Sequence, residues 1–211
     1  MILITGIPRS RTSLVSAMFA KCGAYFGPPG SMKGPHKDNK LGFWEHLGIR
    51  QHLQRPYFRG IGCDPLGRGK LPTTADIVIY PGWRRRVERV APGITAHKEC
   101  KLLLYWEQWA AACPEARWII VRRERGEILE SVSERTSFMR GRLDEQGWQR
   151  WLDYHLERME QLKSCVDYRE IDTGPMVRGD MAEIRDAVHW CGLDWTDKAA
   201  KLIDPAATLQ K

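Results

Sequence analysis

The chain has 211 residues, 43% hydrophobic and 28% charged, an ordinary globular composition that excludes a disordered or fibrous protein. Lysine and arginine number 33 against 26 acidic residues, and the resulting charge of +7 favours an anionic partner such as a nucleotide, a nucleic acid or an acidic surface. No apolar run reaches the roughly 18 residues of a membrane span, no signal peptide is evident, and the six cysteines form no CxxC pair; the sequence predicts a cytoplasmic protein with reduced thiols and no metal.

Residues 1–5 form a nearly all-apolar run ended by Gly6 and Pro8, the pattern of a strand buried on both faces of a parallel sheet. From Thr12 the period becomes helical through Leu14, Val15, Met18, Phe19 and Cys22, and Gly23 supplies a stop. Residues 27–72 read as a long irregular excursion punctuated by glycine and proline, with a short helix around 46–53. Its apolar anchors Phe43, Trp44, Tyr57 and Phe58 point to an ordered, substrate-facing segment. Then follow a basic helix (83–90), a short strand (94–98), a buried helix (102–112), a buried strand (118–121) and a helix over 127–134. A long amphipathic helix through 148–162, a late strand (166–171) and a helix (182–190) closed by Gly192 complete the series. Strands alternating with helices predict a single α/β domain over 1–211, a parallel central sheet flanked by helices. His36, His46 and His52 read as surface residues.

The segment Gly-Ile-Pro-Arg-Ser-Arg-Thr-Ser (6–13) joins the first strand to the first helix. A helix N-terminus offers unpaired N–H groups and a partial positive charge, so such a loop can converge on a phosphate. Thr12 and Ser13 add hydroxyls, and Arg9 adds a permanent charge with bidentate geometry. The nucleotide-triphosphate pattern Gly-x-x-x-x-Gly-Lys-[Ser/Thr] is not met, since Arg11 stands at its second glycine and Thr12 at its lysine.

Pro8, Arg9, Ser10, Thr12 and Ser13 resemble the 5′-phosphosulfate loop of sulfotransferases that use 3′-phosphoadenosine 5′-phosphosulfate (PAPS), typically Pro-[Lys/Arg]-Ser-Gly-Thr-[Ser/Thr], with Arg11 at the usual glycine. Arg123 at a strand end and Ser131 eight residues later carry the spacing of that family's 3′-phosphate arginine and serine. The proline usual two positions after the arginine is Arg125 here. Three softer matches extend the resemblance. Residues 39–45 resemble the Asn-Pro-x-Gly-[Phe/Tyr]-x-Glu segment of bacterial members, His97-Lys98-Glu99 falls at their strand-end Lys-Asp-Pro, and 168–193 resembles their late strand and helix.

The resemblance implies a P-loop NTPase-like sulfotransferase architecture and transfer of a sulfuryl group from PAPS to a hydroxyl or amine, leaving adenosine 3′,5′-bisphosphate (PAP). Pro8, Arg9, Ser10, Arg11, Thr12, Ser13, Arg123 and Ser131 would bind the donor, with Arg9 steadying charge on the sulfuryl and bridging oxygens. An acceptor hydroxyl needs a general base; Glu45 is the first candidate, His97 and Glu99 come next, and Lys98 is an electrostatic helper. Two other classes stay open. A nucleotide or small-molecule kinase is opposed by the missing lysine, and a nucleic-acid-binding module by the separation of Arg84-Arg85-Arg86 from Arg140 to Arg142. The acceptor and the oligomeric state are not specified by the sequence.

Overall fold

Four apolar or alternating runs become strands: β1 (Ile2–Gly6), β2 (Ala96–Lys98), β3 (Arg117–Arg122) and β4 (Tyr168–Asp172). The computed structural model, which describes residues 1–67, 69–137 and 139–203, joins them in one parallel sheet of order β2-β1-β3-β4. β1 is buried at every position and β3 at its four inner ones, because helices cover both faces. The register sets Leu3 beside His97 and Trp118, Ile4 beside Lys98 and Ile119, and Gly6 beside Val121.

The helices are α1 (Thr12–Lys21), α2 (Leu47–Ile49), α3 (Arg55–Gly60), α4 (Trp83–Val90), α5 (Trp106–Ala112), α6 (Arg125–Glu130), α7 (Glu145–Lys163), α8 (Thr173–Val177), α9 (Ala182–Trp190) and α10 (Asp197–Ala200). On one face, Ile2, Ile4, Ile119, Val121 and Ile171 pack with Val15, Met18 and Phe19 of α1 and with Ile184 and Val188 of α9. On the other, Leu3, Trp118 and Ile120 meet Phe58 of α3, Trp83 of α4, Trp109 of α5 and Trp151 of α7. Each large apolar side chain taken fully from water contributes about 1.5–3 kcal/mol, so the two layers hold the sheet between them.

The structure departs from the sequence reading at several points. The helix expected around 46–53 runs on to Gly60 through a π turn, Arg50–Gln54, just ahead of Pro56, whose ring has no N–H to donate. The helix expected over 102–112 is broken at Tyr105 into a 3-10 turn, Cys100–Leu104, and α5. Arg158 of α7 causes the break: its Nε donates to the Leu103 carbonyl at 3.2 Å, its Nη2 approaches that of Leu104 at 3.5 Å, and it pairs with Glu107 at 2.6 Å. The helix expected over 127–134 begins at Arg125 and widens into a π turn at Ser131. His46 is buried, not on the surface, and its Nδ1 accepts from the Ile49 N–H at 3.5 Å, capping α2. Among the described residues no helix is long and apolar enough to cross a membrane.

Candidate functional site

β1 ends at Gly6, where a Cβ would lie 2.4 Å from the Val121 carbonyl of β3, so only glycine lets the chain leave the sheet so close to its neighbour. The chain then turns on itself. The Ser10 N–H donates to the Ile7 carbonyl at 3.0 Å, and Arg9 and Arg11 take positive φ values of 78° and 63°. Arg11 therefore adopts the left-handed backbone that favours glycine, and it serves as N-cap of α1 without a side-chain cap bond. The Leu14 N–H donates back to the Arg11 carbonyl at 3.0 Å, while a helix start leaves its foremost amides, here those of Thr12 and Ser13, without an intrahelical partner. Ser10 is fully buried and its Oγ has no hydrogen-bond partner among the described residues. A buried hydroxyl without a partner is costly, and an anion held by the loop would satisfy it. Thr12 Oγ1 lies 3.3 Å from Cys100 Sγ, and Ser13 Oγ accepts from Asn39 Nδ2 at 2.9 Å. Pro8 is the first of the two central residues of that turn and is half-buried.

Arg123 follows β3, the strand paired with β1, and so starts one strand spacing from the loop. Its Nη1 donates to the Arg9 carbonyl at 2.8 Å and its Nε to Glu127 Oε2 at 2.5 Å. Arg9 Nε donates to Ser131 Oγ at 3.0 Å, and its Nη1 and Nη2 approach the Asp38 carbonyl at 3.4 Å. The Ser131 carbonyl accepts from both the N–H and the Oγ1 of Thr136, at 2.9 and 2.6 Å, which fixes the step from α6 into the π turn. Arg9, Arg11, Arg123 and Ser131 thus gather beyond the carboxyl ends of β1 and β3, where ligands of open α/β sheets bind. Arg122 does not join them; it pairs with Glu170 and Asp172 of β4 at 3.3 and 3.1 Å.

A second group forms beyond β2, on the other side of β1. Lys98 is 2% exposed, and its Nζ donates to the Phe43 carbonyl at 2.9 Å, the same oxygen that Ser13 Oγ reaches at 3.4 Å. Glu45 Oε1 lies 3.6 Å from Lys98, and its Oε2 lies 3.5 Å from Arg50 and 4.0 Å from Lys33. Burial by itself would push the Lys98 pKa down, but the charges of Cys100, Glu45 and Glu99 outweigh it and hold the ammonium above the ordinary lysine range. Glu99 is also buried, and although burial pushes its pKa up, Lys101, Lys98 and Arg50 bring it below the usual carboxylate value. Its Oε1 accepts from the N–H and the Nζ of Lys101.

Glu45, Lys98 and Ser13 are therefore brought together. His97 is not. Strand alternation turns it to the opposite face of β2 from Lys98, where it stacks on Trp109 with ring centroids 5.0 Å apart. Burial, reinforced by His46, pushes its pKa down to about 3. A neutral ring enclosed by core aromatics is not placed to take a proton from an acceptor, so the expectation of His97 as a base is corrected. The sequence reading also missed Asp38, Arg50 and Glu127. For Glu127 the only signal was its spacing four residues after Arg123 on a helix. Among the described residues no cluster of three or more His, Cys, Asp or Glu has the arrangement to hold a metal ion.

No family model matches the sequence, and a search of curated proteins gives no significant match. Solved structures that match over nearly the whole chain include two mycobacterial sulfotransferases. The sulfotransferase STF1 from Mycobacterium tuberculosis H37Rv aligns with a TM-score of 0.59 at 14% identity, over 96% of this chain and 70% of that one. The sulfotransferase STF9 from Mycobacterium avium aligns with a TM-score of 0.56, also at 14% identity, over 100% of this chain and 68% of that one. At such identity the likeness is one of fold: the chain has the α/β fold of the mycobacterial sulfotransferases, a four-stranded parallel sheet flanked by helices.

Proposed function

We propose that the protein is a sulfotransferase that takes its sulfuryl group from PAPS and passes it to an acceptor hydroxyl or amine. The observation that carries this reading is the 2.8 Å hydrogen bond from Arg123 to the Arg9 carbonyl, which brings two separate groups of anion-binding donors within the span of one nucleotide. The buried Ser10 hydroxyl and the first-turn amides of α1, with Thr12 and Ser13, take the 5′-phosphosulfate. Arg123 and Ser131 take the 3′-phosphate. A chain without the loop lysine is poorly suited to a nucleoside triphosphate, which disfavours a kinase.

Transfer is an in-line displacement, akin to phosphoryl transfer, in which positioning and charge stabilisation do most of the work. The acceptor oxygen or nitrogen forms a bond to sulfur while the bond from sulfur to the bridging oxygen breaks, and the electron pair leaves with the 5′-phosphate of PAP. Arg9 and Lys98 stabilise charge on the sulfuryl and bridging oxygens. Glu45, held beside Lys98, accepts the acceptor's proton.

Calorimetry should show one PAP bound per chain, and absence of binding at millimolar PAP would remove the reading. Glu45→Gln should leave PAP affinity within about twofold and lower kcat about 100-fold or more, the usual contribution of a general base. Full turnover in that variant would move the role to Glu99.

A further inference from the structure

Arg11 occupies a backbone position that favours glycine, with φ of 63°. Its guanidinium shows what the arginine gains. Arg11 Nη2 lies 3.1 Å from Glu127 Oε2, the same carboxylate oxygen that accepts from Arg123 Nε at 2.5 Å, while Arg11 Nη1 approaches Thr173 Oγ1 at 3.4 Å. Two guanidinium groups from different strand ends thus converge on one anionic atom. The Arg123 side chain is 9% exposed and that of Arg11 24%, whereas the Glu127 side chain is 41% exposed and sits in the first turn of α6 with solvent on its free side. The Glu127 pKa is drawn below the usual carboxylate range because Arg123 and then Arg11 outweigh a burial that would raise it.

We propose that Glu127 is an internal stand-in for the nucleotide's 3′-phosphate. Its carboxylate neutralises Arg11 and Arg123 in the free protein, and the phosphate displaces it on binding, so that Arg11 becomes a second arginine for that phosphate. A phosphate monoester presents three oxygens and up to two charges, against the single oxygen that both arginines now share, and it can accept from both guanidinium groups and from Ser131 together. The freed carboxylate turns towards solvent, since it cannot stay beside a dianion without repulsion. The inference rests on the donor nucleotide proposed above and adds to it a competitor and a second cation.

The two signs of charge give opposite predictions. Glu127→Gln keeps the side-chain shape and removes the competing charge; it should tighten PAP about threefold to tenfold while leaving 5′-AMP, which lacks the 3′-phosphate, within about twofold. Arg11→Gln keeps a side chain at that backbone position and removes the charge; it should weaken PAP about tenfold, again with little change for 5′-AMP. Titration calorimetry on the full chain reads all four affinities, and melting temperatures report that each variant is folded. If Glu127→Gln weakens PAP or leaves it unchanged, Glu127 is a strut for Arg123 and the inference is overturned. It is equally overturned if either variant shifts PAP and 5′-AMP by the same factor. Failure of the unaltered protein to bind PAP at all would instead remove the donor assignment, and this inference with it.

Discussion

Replacing Arg123 by alanine is expected to weaken PAP binding about a hundredfold, roughly 3 kcal/mol, the combined effect of one or two charge-assisted hydrogen bonds. The loss has two sources. The 3′-phosphate loses its principal cation, and the Arg9 carbonyl loses the donor that holds it at 2.8 Å, so the loop after β1 is loosened as well. Arg122→Ala is the control. Its guanidinium is half exposed and bound to Glu170 and Asp172, and surface pairs of this kind contribute about 0–1 kcal/mol, so PAP affinity should change by no more than about threefold. Equal losses from both variants would mean that the loop and the β3 end do not grip one ligand.

Acid should unfold the protein at a higher pH than its carboxylates alone require. Burial lowers the pKa of His97 to about 3 and that of His155 to about 4, from an ordinary value of 6.5. Below that ordinary value the unfolded chain takes up a proton at each ring and the folded one does not. Both rings therefore contribute stability that is complete above pH 6.5 and is lost as the pH falls towards their folded-state values. The loss is about 1.4 kcal/mol per pH unit per ring, or about 4 kcal/mol for the pair at pH 5. That is a large part of the roughly 5–15 kcal/mol that holds a typical domain. Urea unfolding followed from pH 7.5 to pH 5 should show this slope. In a protein carrying both His97→Gln and His155→Gln the slope should fall to the part left by His46, whose pKa burial also lowers; an unchanged slope would show that other groups carry it.

The central strands and most of the helices were legible because their signals are local. Residues 1–5 and 118–121 are apolar runs of strand length, α4 and α9 have clear helical periods, and Gly6 marks the end of β1. The break at Tyr105 was not legible, because it depends on Arg158, which lies more than fifty residues away and captures carbonyls of a segment that is helical by composition. α8 was missed because Thr-Gly-Pro reads as a turn, and only the Asp172 carboxylate, accepting from the Gly174 N–H at 2.8 Å, shows that a helix begins there. In the site, the loop and the spacing of Arg123 and Ser131 stood out because several residue types had to coincide. The facing of His97 did not, since a strand three residues long gives no period from which to read which side chain meets the core. The pairing of Arg11 with Glu127 joins the start of α1 to α6, far apart in the chain, and no pattern along the chain announces it.

Arg9 and Arg11 hold left-handed backbone, which costs a residue other than glycine about 1–2 kcal/mol. A glycine at either place would let the unfolded and ligand-free loop sample many more shapes. Here the arginines narrow that choice, and contacts to Arg123 and Glu127 hold the one that remains. The ordering that a glycine-rich turn would undergo at the moment of capture is completed earlier, while the chain folds. An arriving anion meets a mould that is already set, and little of its attraction is spent on shaping the backbone around it.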